Sequence, residues 1–117
     1  MYRINSLASE PKQRVTMLVG NMRIKLTFVY KANQLGWFFD FEYNGTTYQN
    51  IRLTTSYNIL RAYKSWLPFG ISCTTLDGLE PMDISDFSSG YAKVYILTKS
   101  EIDTIEGIYY AKTTPNI

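Results

Sequence analysis

The chain contains no histidine among its 117 residues. The commonest general base and the commonest metal ligand are therefore missing. There is one cysteine, Cys73. An intrachain disulfide and a thiolate metal cluster are excluded, and the pattern argues against a disulfide-rich secreted domain. Cys73 lies in the strand-like run FGISCTT and reads as a small apolar filler, with no histidine to activate it. No apolar run is long enough to cross a bilayer, so no membrane partner is expected. The first twelve residues, MYRINSLASEPK, have no continuous apolar core and do not read as a signal peptide. Glycine-rich phosphate loops, nucleophile elbows and paired cysteine motifs are absent. No cofactor and no enzymatic activity are expected.

What is present suits a small globular domain. Hydrophobic residues make up 45% of the chain, enough for a core at this length. Aromatics reach 15%, with ten tyrosines, a composition suited to sheets and interfaces. The net charge of +2 is too small to imply a nucleic-acid partner. Its distribution is uneven. Residues 1–64 carry nine basic and three acidic groups, a net +6; residues 65–117 carry three and seven, a net −4. Such halves either meet a neighbour plus to minus or interleave on one surface and cancel.

Residues 22–53 carry the clearest pattern. Met22, Ile24, Leu26, Phe28 and Tyr30 alternate with Arg23, Lys25 and Thr27, which predicts a half-buried antiparallel strand. Val15, Met17 and Val19 predict a strand before it, joined through Gly20-Asn21. After the turn KANQLG, Trp37, Phe39, Phe41 and Tyr43 share one face, and Phe38, Asp40 and Glu42 the other. Asn44-Gly45 is a strong hairpin signal and leads to a fourth strand near 46–53. Asp40 and Glu42 would lie across from Arg23 or Lys25. As a carboxylate pair they also merit weighing for hydrolysis, but a salt-bridged surface is the simpler reading.

Beyond residue 53 the period changes. Ile59, Leu60, Tyr63 and Leu67 predict a short helix or a structured crossover, ended by Pro68, and the helix is the form expected in the fold. Phe69, Ile71 and Cys73 predict a fifth strand, and residues 91–98 a sixth. Between them LDGLEPMDISDFSSG reads as a long loop, a length often tied to function. Its acidic residues do not match a calcium loop. Thr98 and Glu101 form a capping box, with Leu97 and Ile102 at the spacing of a hydrophobic staple. A helix is predicted at about 99–106, ended by Gly107.

The expected organisation is an N-terminal arm at 1–12, one β-rich domain at 13–107 and a tail at 108–117. The expected fold is mostly β: an antiparallel six-stranded barrel or sandwich, with one crossover helix and a short C-terminal helix. Trp37 and Phe69 are expected in the core. The candidate contact residues are Arg23, Lys25, Phe38, Asp40, Glu42, Arg52, Asp77, Glu80, Tyr109 and Tyr110. Arg52 is expected either to pair with the acidic loop or to stay solvated.

The order of motifs resembles the small baseplate plug family of contractile-tailed phages, the type described in a cyanophage. The resemblance rests on the alternating hairpin, GWFFDFEYNG, NIRL with Arg52 after Ile51, NILRAY, the D-G-x-x-P loop at Asp77–Pro81, and YAKVYILTKSEI. It covers about residues 12–106. It implies a virion structural protein in the tail baseplate, made in the host cytoplasm and used as a symmetric oligomer. The implied partners are the central hub, the tail tube or tube-initiator, and the spike complex. It implies no catalytic residues. The competing reading is a small β-barrel that binds single-stranded nucleic acid through Arg23, Lys25 and neighbouring rings. An RNP-type pattern is absent and acids share that face.

Overall fold

The structure is a computed structural model that describes residues 1–110, the last two by their backbone alone. Two open antiparallel sheets share one core. The larger holds β2 (Lys12–Val19), β3 (Met22–Lys31), β4 (Gly36–Tyr43) and β5 (Thr46–Arg52), in that spatial order. The smaller has the order β1 (Tyr2–Arg3), β7 (Ala92–Thr98), β6 (Phe69–Thr75). The helix α1 (Lys99–Tyr110) follows β7 directly. The expected barrel is not formed, because neither sheet closes on itself among the described residues. The strand count is seven rather than six once the two-residue β1 is included.

The alternation in β3 and β4 turns one face of the larger sheet inward. Ile24, Leu26, Phe28, Trp37, Phe39 and Phe41 are all fully buried. The Phe41 and Tyr43 rings meet Phe69 of the smaller sheet edge-on, at 5.7 and 5.2 Å between centroids. Phe87 closes the other end against Phe28 and Trp37, at 6.3 and 4.8 Å. Trp37 and Phe69 are core residues, as expected. The Asn44-Gly45 turn has φ of 55° and 81°, the left-handed pair that a two-residue hairpin needs.

The N-terminal segment packs on its own domain. Tyr2 and Arg3 pair with Ile96 and Tyr95, Ile4 donates to the Val94 carbonyl at 2.9 Å, and Ile4 and Leu7 are buried. Sequence periodicity could not show this, because two residues are too few to carry a period.

The crossover between the sheets is not the expected helix. Only Arg61–Tyr63 forms a 3₁₀ turn. The part before it runs alongside β6: Ser56 exchanges backbone bonds with Cys73, and Ile59 N–H donates to the Ile71 carbonyl at 2.7 Å. Backbone groups spent on a neighbouring strand are unavailable for helical turns. The capping box does form: Glu101 N–H donates to Thr98 Oγ1 at 3.2 Å, and Thr98 N–H to Glu101 Oε1 at 2.9 Å. Leu97 and Ile102 are both buried beside it. Gly107 does not end the helix. Its φ is not left-handed and α1 runs on to Tyr110, at the roughly 1 kcal/mol that an interior glycine costs.

Candidate functional site

The outer face of the larger sheet carries most of the sequence candidates. Strand register fixes their neighbours. Lys25 lies opposite Glu42, Thr27 opposite Asp40, Arg14 opposite Thr27, and Leu18 opposite Arg23. Lys25 therefore meets the expected acid, whereas Arg23 lies toward the Gly20-Asn21 turn and faces Leu18. Arg14, Thr16, Lys25, Thr27, Asp40, Glu42 and Thr47 line a shallow open groove of about 280 Å³. Lys12, Arg14, Arg23 and Lys25 make no ion pair among the described residues.

Asp40 has a local structural task. The β4–β5 register slips between Phe39 and Phe41, and Asn50 sits there with φ of 57°. Asp40 Oδ1 accepts the Asn50 N–H at 2.7 Å, and Asn50 Oδ1 accepts Lys31 Nζ at 2.7 Å. The carboxylate thus secures a β-bulge, a device that aims strand side chains locally.

Phe38 is not the exposed ring that its place on the charged face suggested. It is 8% exposed, with Lys31 Nζ 4.5 Å and the Arg52 guanidinium 5.3 Å from the ring centroid. Two cations over one ring shield it and gain from its quadrupole. Arg52 also pairs with Glu80 at 3.6 Å and donates to the Leu35 carbonyl at 3.2 Å. The expected contact between Arg52 and the acidic loop is present.

The first half of that loop, residues 76–83, is pinned by its neighbours. Thr55 Oγ1 donates to the Gly78 carbonyl at 3.2 Å, Thr75 Oγ1 to Leu79 at 2.6 Å, and Tyr30 Oη to Met82 at 2.8 Å. Trp37 Nε1 donates to the Asp83 carbonyl at 3.1 Å. Asp77 accepts from Tyr91 Oη and from Leu79 N–H, and both bonds draw its carboxyl below the usual range. With its backbone so held, the loop exposes Leu76 at 78%, Leu79 at 62% and Met82 at 50%.

A second polar cluster escaped sequence reasoning. Glu106 of α1 accepts from Tyr57, Arg61 and Lys64 of the crossover. Burial alone would raise this carboxyl; the bonds from Lys64, Tyr57 and Arg61 overcome it and hold it at about 2. The signal was the spacing of Tyr57, Arg61 and Lys64, but their partner lies more than 40 residues away. The stability gained is complete above about pH 4.5 and is lost as pH falls toward about 2. Glu106→Gln is expected to cost about 2 kcal/mol at neutral pH. The gap between variant and native protein should shrink on acidification, as read by urea melts at several pH values.

Cys73 is buried, and burial, with help from Glu80 and Asp86, pushes its thiol up to about 12. No three acidic or cysteine side chains among the described residues converge as metal ligands. The side chains of Tyr109 and Tyr110, and residues 111–117, lie outside the described residues.

These observations describe a sheet platform whose outer face carries both bases and acids, with an acidic, apolar loop at its border. Comparison with known families places the chain among the structural proteins of phage tail baseplates. The chain belongs to the cyanophage baseplate plug family: the model described as "Cyanophage baseplate Pam3 plug gp18" matches residues 1–99 of 117. No curated protein matches the chain.

Proposed function

We propose that this chain is a plug subunit at the axis of the baseplate, present in several symmetric copies. It contacts the tail tube or tube-initiator, the central hub and the spike complex, and performs no reaction. Its locations are the virion baseplate and, during assembly, the host cytoplasm. The observation that carries this reading is the loop at 76–83. Its carbonyls are bonded to the domain while Leu76, Leu79 and Met82 face solvent. Ordering a loop ahead of contact lowers the entropy lost on binding.

The test is quantitative mass spectrometry and antibody labelling of purified tails. The protein is expected in fixed proportion to hub and tube proteins, with label at the axis. Recovery only from the cytoplasm, with none in tails, would sink the reading. The unpaired Lys12, Arg14, Arg23 and Lys25 favour a second reading, a surface for single-stranded nucleic acid. It requires salt-dependent binding that Arg23→Gln with Lys25→Gln weakens; no binding at low salt ends it.

A further inference from the structure

The two distinctive surfaces of this domain lie at opposite ends of one sheet. At one end, the loop at 76–83 is tied to the ends of β3, β4 and β5 through Tyr30, Trp37 and Arg52. It offers exposed Leu76, Leu79 and Met82 beside Asp77, Glu80 and Asp83. Toward the other end, the β2–β3 hairpin offers exposed Leu18 opposite Arg23, with Lys25 two positions on along β3 and Arg14 four positions back along β2. Arg23 and Lys31 lie eight positions apart along β3, a run of roughly 26 Å. One patch is apolar with three acids, of which Glu80 pairs with Arg52, and the other is apolar with three bases, with Glu42 across from Lys25 at its border.

Edge protection explains only part of the second patch. Lys12 and Arg14 on the edge strand β2 discourage stray pairing, but Arg23 and Lys25 belong to the interior strand β3. Nor does an ordinary solvent loop need its carbonyls secured by Thr55, Thr75, Tyr30 and Trp37.

We infer that these patches are the two halves of one head-to-tail contact between copies of this chain. The loop at 76–83 of one copy docks on the outer face of the β2–β3 hairpin of the next. Complementary charge sets the register, and Leu79 and Leu18 supply apolar contact. Because the halves lie far apart on each copy, the contact is heterologous. It continues from copy to copy and closes into a ring when the rotation permits. This rests on the plug reading for its setting, but its test reads the contact itself.

The experiment is disulfide cross-linking with cysteines at Leu18 and Leu79, both exposed. The native thiol stays silent because Cys73 is buried. Under mild oxidation the Leu18→Cys, Leu79→Cys double variant should give a ladder of linked species, in solution and in assembled tails. A mixture of the two single variants should stop at the dimer, and each alone should not link. At low salt, Arg14→Glu with Arg23→Glu should lower the linked yield at least tenfold; with both arginines in place, added salt should lower it. Linking of Leu79→Cys to itself would overturn the proposal in favour of a symmetric contact. Absence of linking in tails that have incorporated the double variant would overturn it too, and would leave the plug reading standing. Absence of the protein from tails, with the ladder intact in solution, would remove the plug reading and keep the contact.

Discussion

Replacing Trp37 by alanine is expected to cost about 4 kcal/mol of stability, the usual scale for deleting a buried indole. The ring is fully buried, 4.8 Å from Phe87 and 5.3 Å from Tyr30. The cavity left would be walled by Tyr30 of β3 and Phe87 of the segment before β7, both of which lose a packing partner. The indole N–H also holds the Asp83 carbonyl at 3.1 Å. Its loss frees the loop as well as the core. Marginal domains have only about 5–15 kcal/mol to lose, so the variant should unfold at much lower urea concentration. Trp37→Phe separates the two effects. It keeps most of the packing and removes the bond, so hydrogen exchange should quicken at residues 82–87 for a smaller loss of about 1–2 kcal/mol. Equal exchange in Trp37→Phe and native protein would show that the indole bond does not anchor the loop.

Asn58→Ala is expected to cost roughly 3 kcal/mol, although a single small polar side chain changes. Asn58 is buried, and its Oδ1 accepts two backbone N–H groups, from Leu60 at 3.0 Å and from Ile71 at 3.2 Å. Alanine would leave both donors buried without a partner. The amide also fills the space above Gly70, where an added Cβ would lie 2.5 Å from Asn58 Oδ1. Gly70→Ala should therefore destabilise by displacing the same amide. The double variant should lose less than the sum of the two, because residues that share one interaction are not additive. Strict additivity in chemical melts would rule out this coupling.

The strand faces were readable because alternation is a property of adjacent residues. Ile24, Leu26 and Phe28 had to point together once β3 formed, and Asn44-Gly45 had to turn. The capping box was readable for the same reason, as Thr98 and Glu101 are three residues apart. The pairing of Arg52 with the acidic loop was legible as one of two outcomes. Phe38 was misjudged because its cover comes from Lys31 and Arg52, on either side of it in sequence and brought together by β-pairing. The crossover was misjudged because β6 competes for its backbone bonds, and that competition exists only after folding. Asn58 gave no signal, since an asparagine that bridges two buried donors looks in sequence like any turn residue.

Sequence by itself determined that this protein is a mostly-β domain, which faces of its central strands are apolar, and that no histidine or second thiol is available for chemistry. These follow from composition and from periods of two residues. Tertiary structure alone decided that the strands form two open sheets, that the N-terminus pairs with β7, and that Glu106 ties α1 to the crossover. It also decided that a basic hairpin and an acidic, apolar loop stand at opposite ends of one platform. Each of these depends on which distant segments meet, and chain closure over tens of residues leaves no mark on local periodicity.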